Sequence, residues 1–299
     1  MTDSTARASV FVGREDTLEL LRAAVAATAT GTGAALLVQG PAGIGKSALL
    51  AEVFAGRNLD CRVCWELTGE RLVRRWCAGG PVVLVADDLQ RADAESLARW
   101  RGLIRLTGEL PLTLIGACRT LPVRPELERI RLDLAAHGDP VLTLEPLPDP
   151  AAHALAEHLM GAPPGRGLRE LAVLAAGNPS YLGELAGQRP AVADHLAALS
   201  AATQEALRWA ALLGREFTAA EVAAVADRSG AELDEAVAEA LLAGFLVATG
   251  ERLAFRHPLV EATLRQRIPA STRDVLHRQI AEVLAWGAGE VSPRQPEGG

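Results

Sequence analysis

Lysine is almost missing from this chain. Of the 30 basic side chains in its 299 residues, one is lysine and the other 29 are arginine. Such a bias fits a GC-rich genome and means that arginine serves wherever charge alone is needed. Aromatic residues are also scarce, at 4%, so the cores must be built from Ala, Leu and Val, which suits helices. Four cysteines in a chain of this length make no disulfide framework and fit a reducing compartment. A positive excess is lacking too: the net charge is −7 and the pI about 5.5, which argues against a broad nucleic-acid footprint. The N-terminus, Met1 to Arg7, has no basic run followed by an apolar stretch and does not read as a signal peptide. No uncharged apolar run reaches membrane-spanning length. A soluble protein of the cytoplasm is the expectation.

What the chain does have is apolar content, 49% of residues, enough for real cores. The single lysine, Lys46, stands in Gly40-Pro41-Ala42-Gly43-Ile44-Gly45-Lys46-Ser47. This is the phosphate-binding pattern G-x-x-x-x-G-K-[ST]. A compact ammonium on a flexible stem can reach between phosphate oxygens where a planar guanidinium would not fit.

The surroundings supply the context that such a loop requires. Residues 16–29 have helical spacing, and Thr30-Gly31-Thr32-Gly33 breaks them. The apolar run 34–39 reads as a buried strand leading into the glycine motif, and 48–54 as the helix after it. Further strands are expected at 61–65, at 81–86 ending in Asp87-Asp88, at 112–118 ending at Arg119, and at 141–144 closed by Pro146. Strands alternating with helices imply an α/β fold with a parallel sheet, and ligands in such folds sit beyond the carboxyl ends of the strands. Gly40, Asp87, Asp88 and Arg119 all stand at such ends. Pro146, Pro148 and Pro150 mark a boundary. Beyond it, 151–188 read as helices broken at 161–165 and at 177–179. Helices at 201–213, 219–227 and 231–243, followed by a hairpin over 245–255, form the pattern of a winged helix. A last helix is expected over 271–286.

Several residues could carry chemistry. In the glycine loop the backbone N–H groups of Gly40 and of Ala42, Gly43, Ile44, Gly45, Lys46, Ser47 and Ala48 would converge on phosphates, aided by the positive end of the next helix. Lys46 would neutralise the β- and γ-phosphates of ATP, and Ser47 would ligate Mg²⁺. Asp87 would complete the Mg²⁺ shell, and Asp88 would orient or deprotonate the attacking water; the alternative is an acidic pair capping a helix. Asp88 is one methylene shorter than glutamate, which hints at a slow, switch-like hydrolase. Arg119 reads either as a γ-phosphate contact or as a solvated loop arginine. His257 reads either as a helix-capping or surface histidine or as a phosphate contact. Cys61-Arg62-Val63-Cys64 has no second pair at metal-ligand spacing and reads as structural.

Taken in order, these motifs resemble the STAND branch of P-loop ATPases, and most closely the ATPase module of the large LuxR-type (LAL) transcription regulators. Phe11-Val12-Gly13-Arg14-Glu15 resembles the family's opening box, which implies adenine contacts from Val12, Gly13 and Arg14. Val82 to Asp93 resembles its extended Walker B motif. Gly177-Asn178-Pro179 resembles the GxP motif, with Pro179 against the adenine. Phe255 to Val260 resembles the segment ending the winged helix, which contains His257. The likeness spans about residues 9–285. It implies a sheet of order 5-1-4-3-2, ADP/ATP exchange as the switch, and a winged helix that need not bind DNA. Residues 201–267 hold seven arginines against ten acidic residues, which agrees with that last point.

The implied organisation is a flexible N-terminus at 1–8, a nucleotide-binding domain at 9–149, a helical subdomain at 150–197, a winged-helix domain with its C-terminal helix at 198–287, and a disordered tail at 288–299. Three departures stand out. The stretch between Ser47 and Asp87 is short for the family. Gln90-Arg91 replace the usual His-Trp. The chain stops where the family continues into a sensor and a helix-turn-helix. The expectation is therefore a fragment, or a switch whose sensor or effector is a protein acting in trans, with nucleotide-dependent oligomers and without direct DNA or membrane binding. A DNA-binding AAA+ protein of the replication-initiator kind, a nucleotide-dead interaction scaffold and a small-molecule kinase are the alternatives.

Overall fold

The apolar runs bounded by glycine or proline form strands, and the stretches with helical spacing form helices. The computed structural model describes residues 11–57, 59–65, 67–121, 123–161, 166–187, 191–269, 273 and 276–282. Its elements begin with α1 (Glu15–Ala29), β1 (Ala34–Gly40), α2 (Lys46–Phe54), β2 (Arg62–Cys64), α3 (Glu70–Cys77), β3 (Val82–Ala86) and α4 (Ala94–Ile104). Then come β4 (Leu112–Arg119), α5 (Pro125–His137), β5 (Val141–Thr143), α6 (Asp149–Met160), α7 (Arg166–Ala175) and α8 (Pro179–Leu185). The remainder is α9 (Val192–Leu196), α10 (Ala201–Leu213), β6 (Glu216–Phe217), α11 (Ala219–Ala226), α12 (Gly230–Leu242), β7 (Leu246–Thr249), β8 (Arg252–Phe255) and α13 (Pro258–Gln266). Single 3-10 turns cover Leu89–Arg91 and Arg105–Gly108. The segments expected to be flexible at 1–8 and disordered at 288–299 lie outside the described residues. Of the expected last helix, residues 276–282 are helical, and much of the rest also lies outside them.

The chain divides into two units. One comprises the described residues up to Ala172 together with Gly177–Gly187, and the other comprises Val173–Ala176 and the described residues from Ala191 onward.

The first unit is built on a five-stranded sheet of order β2-β3-β4-β1-β5, which read from the β5 edge is 5-1-4-3-2. Every pairing in it is parallel. Its strands alternate between two apolar faces, as a sheet covered on both sides requires. Leu37, Leu84 and Leu114 face a core closed by α4 and α5 through Leu97, Trp100, Ile130 and Leu134. Leu36, Val38, Val83, Val85 and Ile115 face the opposite core, closed by α1 and α2 through Leu21, Val25, Leu49 and Val53. Each such side chain contributes roughly 1.5–3 kcal/mol by burial, so both cores fix the sheet from which the loops project. Helix ends follow the local sequence. Asp93 caps α4 by accepting from the Ser96 N–H at 2.7 Å. Pro125 starts α5 and Gly138 ends it in the left-handed region, with φ 77°.

The second unit carries a three-stranded antiparallel sheet of order β6-β8-β7. Helices α11, α12 and α13 pack against α10. The two-residue strand β6 was not legible in the sequence, and it forms because Phe217 is buried and its ring packs at a tilt, 5.7 Å between centroids, against Phe255 of β8. A capping box opens α11: Thr218 Oγ1 accepts from the Glu221 N–H at 3.1 Å, and the Glu221 carboxylate accepts from the Thr218 N–H at 2.6 Å. Among the described residues no helix is long and apolar enough to cross a membrane.

Candidate functional site

The parallel sheet brings the ends of β1, β4 and β3 to one edge. Gly40 lies beside Arg119, and Ala86, the residue before Asp87, lies beside Gly116. The glycine loop leaves β1 and turns directly into α2. Gly43 and Gly45 hold φ values of 73° and 104°, which glycine adopts without steric cost. Gly45 occupies the position before α2 and no side chain caps that helix. By contrast α4 and α8 are capped by Asp93 and Asn178. The first-turn N–H groups of α2 are therefore open to a ligand; α1, α3 and α5 also lack a side-chain cap, and what sets α2 apart is the glycine loop and Lys46 at its positive end.

Lys46 is only 6% exposed. Its ammonium donates to the carbonyls of Gly40 at 2.9 Å and Pro41 at 2.8 Å. Burial lowers its pKa to about 8, the positive charge of Arg119 adds to the fall, and Cys118, Asp88 and Asp87 act against it. A buried cation in this state gains from any anion brought to the loop. Ser47 and Ala48 are exposed, as is Asp87, while Arg119 is half-buried.

Asp88 holds φ 54° and ψ 40°, in the left-handed region. A non-glycine residue there stores strain on the order of 1 kcal/mol and persists only where its surroundings hold it. Here three contacts hold it. The Asp87 carboxylate accepts from the Asp88 N–H at 2.8 Å. The Gln90 amide donates to the Asp88 carboxylate at 2.7 Å. Between them Leu89 is fully buried and leans over Gly116 of β4, where an added Cβ would meet it at 2.7 Å.

The opening box and the 177–179 segment, far apart in sequence, meet near the loop. Leu147 lies between them: an added Cβ at Gly13 would come within 3.2 Å of its side chain, and one at Gly177 within 2.5 Å of its carbonyl oxygen. The Leu147 N–H donates to the Gly177 carbonyl at 2.8 Å, and the Arg14 guanidinium donates to the Glu145 carbonyl. Asn178 is 2% exposed and donates to the Ala42 carbonyl at 3.1 Å. Ser180 donates from its backbone and its hydroxyl to the Gly43 carbonyl, at 3.3 and 3.1 Å. Pro179 lies 3.9 Å from where a Cβ on Gly45 would stand. Val12, Gly13, Arg14, Pro179 and the loop thus belong to one neighbourhood.

His257 belongs to the second unit. It is 5% exposed, with Nδ1 2.9 Å from the Ala175 carbonyl, and burial lowers its pKa to about 4. The four cysteines, all among the described residues, form no disulfide. Sequence reasoning missed Arg124, saw Gln90 only as a departure from the family's usual residue, and saw Asn178 only as part of a motif; each has a partner distant in sequence. The position of Asn178 just before a proline that starts a helix was the available signal. A cavity of about 690 Å³ lies at the opposite strand ends, lined by Asp60, Arg62, Trp76 and Pro81. It is remote from this chemistry.

The donor set fits a nucleotide phosphate: an ammonium, uncapped helix N–H groups, and two carboxylates after β3, across β4 from the loop. Among the described residues no group of three or more His, Cys, Asp or Glu side chains forms a metal cage. Mg²⁺ binds through one or two protein oxygens and completes its octahedron with water and phosphate, and the Ser47 hydroxyl and the Asp87 carboxylate are the oxygens that would hold it.

Residues 10–68 match the family model of the AAA ATPase domain. That AAA match covers the opening box, the glycine loop and α2, and the family implies nucleotide binding. No curated protein sequence matches the chain. Among solved structures, the fold is similar to that of a Walker-type ATPase of Pyrococcus abyssi, with TM-score 0.56, 15% identity, and 86% of this chain and 96% of that chain covered. It is also similar to the ORC2 protein of Aeropyrum pernix, solved as ADPNP–ADP complexes, with TM-score 0.53, 14% identity, and 96% and 98% covered. At these identities the likeness is one of fold. A STAND protein with a tetratricopeptide-repeat sensor from Pyrococcus horikoshii matches with TM-score 0.39 and 16% identity over 98% of this chain. The chain spans about half of that protein, 47% of its length.

Proposed function

We propose that this chain is an ATP/ADP-binding regulatory switch with slow, Mg²⁺-dependent hydrolysis. The observation that carries the reading is the buried Lys46, seated on the Gly40 and Pro41 carbonyls beside an uncapped helix, with Asp87 and Asp88 acting on its charge. In this reading Lys46 and the N–H groups from Gly40 to Ala48 bind the phosphates, and Val12 to Arg14 and Pro179 flank the base. Ser47 and Asp87 hold Mg²⁺, which when bound polarises phosphoryl oxygens as a Lewis acid. Asp88 orients the attacking water, and Arg119 reports the γ-phosphate. We read residues 198–287 as a winged-helix domain whose acidic balance suits regulation rather than DNA reading. The finer likeness is to the LAL regulators, with a cytoplasmic protein partner in trans and nucleotide-dependent assembly.

Denaturing the purified protein and identifying the released nucleotide tests this reading. ADP is the expected content, and Lys46→Ala should come away empty. Tight nucleotide binding that survives Lys46→Ala would overturn it. A salt-dependent shift of duplex DNA by the isolated chain would favour the replication-initiator alternative instead, and a site that stays empty at millimolar ATP would favour the interaction scaffold.

A further inference from the structure

Gln90 is a buried amide, 8% exposed, in a turn between two strand ends, and both ends of its side chain are used. Its Nε2 donates to the Asp88 carboxylate at 2.7 Å, and its Oε1 accepts from the Arg119 backbone N–H at 2.9 Å. The orientation of the amide is fixed by its partners, because an ionised carboxylate only accepts and a backbone N–H only donates. Among side chains only asparagine and glutamine offer a donor and an acceptor in one planar group without titrating. The backbone of the turn is fixed as well. Arg124 Nη1 donates to the Gln90 carbonyl at 3.0 Å and to the Ala92 carbonyl at 2.5 Å. Leu89 is anchored against Gly116 on the same strand that ends at Arg119. The amide therefore spans from the end of β4 to a carboxylate held in a strained backbone conformation.

We propose that Gln90 is a positioning residue that couples Asp88 to the end of β4, so that a displacement at Arg119 moves the Asp88 carboxylate with it. The role assigned to that carboxylate rests on the nucleotide-switch reading above; the coupling itself does not. Removing the amide leaves the glycine loop and Lys46 in place, so it should affect turnover far more than nucleotide affinity. Replacing Gln90 by leucine removes both contacts. Replacing it by glutamate keeps an acceptor for the Arg119 N–H but sets a like charge against Asp88.

The test has two readouts on the full chain. The first is amide hydrogen exchange of Arg119 without nucleotide, corrected for global stability by denaturant unfolding. Gln90→Leu should speed that exchange by about tenfold, the loss of one buried hydrogen bond, and Gln90→Glu should leave it near the wild-type rate. Asp88→Ala should speed it in the wild-type background and have no further effect in the Gln90→Leu background. The second is the split between ADP affinity and single-turnover hydrolysis. Both Gln90 variants should bind ADP within about threefold of wild type and turn over at least about tenfold more slowly, as misplaced groups do. An Asp88→Ala effect on Arg119 exchange that persists without Gln90, or no effect at all, would overturn the coupling. Should the wild-type chain bind no nucleotide, the switch reading falls, while the exchange cycle still decides whether Gln90 couples the two sites. If Gln90→Leu fails to fold, the glutamate variant alone separates the two contacts.

Discussion

Lys46 in the first unit and His257 in the second are both basic side chains, both almost fully buried, and both lowered in pKa chiefly by that burial. Their surroundings give them opposite uses. Lys46 falls only to about 8, because Asp87, Asp88 and Cys118 partly offset burial and the repulsion of Arg119. It stays charged at neutral pH, next to N–H groups that also seek an anion. His257 falls to about 4, with Arg256 and His195 adding to the fall while its bond to the Ala175 carbonyl opposes it. It is neutral at pH 7 and acts as a hydrogen-bonding wedge. Burial of a basic group is thus uninformative about function until the charges and donors around it are counted.

The largest expected effect breaks the comparison at Lys46. Lys46→Ala removes the one cation of the loop and should weaken ATP and ADP binding at least about 100-fold, the scale of losing a buried charge contact. Equilibrium dialysis with labelled nucleotide measures it. Lys46→Arg should recover little, since the wider guanidinium does not share the compact shape of the ammonium.

His257 supplies the next largest effect, read as stability. Its folded pKa, about 4, lies below its ordinary 6.5. Between those values the unfolded chain binds the proton and the folded one does not, so stability is full above pH 6.5, falls as pH drops toward 4, and levels off below. The loss is about 3 kcal/mol for the second unit. Denaturant unfolding at pH 7, 5.5 and 4.5 should show it, and His257→Asn should flatten the profile. A loss of equal slope in that variant would assign the pH dependence to other groups.

How much of this was legible beforehand depends on the range of the interactions. The strands of the first unit read correctly because both faces of the sheet are covered, which turns each into a continuous apolar run between turn signals. The strand, turn and helix around the glycine loop were legible because they lie within a few residues of one another. The Asn178 contact with Ala42 joins positions 136 apart in sequence, and no periodicity encodes it. Gln90 stood out only as a departure from the family's pattern, because its value lies in two partners on different segments. In the second unit, β6 is too short to carry a pattern and exists by virtue of its partner strand.

Gly177 sharpens the comparison from the packing side, since it docks the segment that braces the Lys46 loop. Its φ is 72° and an added Cβ would stand 2.5 Å from the Leu147 carbonyl oxygen, a backbone atom that cannot step aside. Gly177→Ala should therefore destabilise the first unit by about 2 kcal/mol through strain and displacement. Nucleotide affinity should fall with it although Lys46 is untouched. Thermal unfolding with and without ADP separates the two losses, and an unchanged melting temperature would show that the segment yields without cost.

The smallest effect is the most direct check on Lys46 itself. With a pKa of about 8 in the free protein, Lys46 is mostly neutral at pH 8.5 and mostly charged at pH 6.5. Phosphate brought to the loop favours the charged form and raises the pKa again. Binding at pH 8.5 should then take up roughly half a proton or more, since a group half a unit above its pKa is about three-quarters deprotonated. Nucleotide phosphates are fully ionised at that pH and contribute no proton of their own. Calorimetric titration with ADP in buffers of different ionisation enthalpy measures the uptake as the slope of observed heat against buffer heat. In Lys46→Arg the slope should vanish even where some binding remains, because a guanidinium does not deprotonate in this range. A wild-type slope of zero at pH 8.5 would mean that Lys46 is already fully charged before the nucleotide arrives, and the contrast with His257 would then rest on geometry alone.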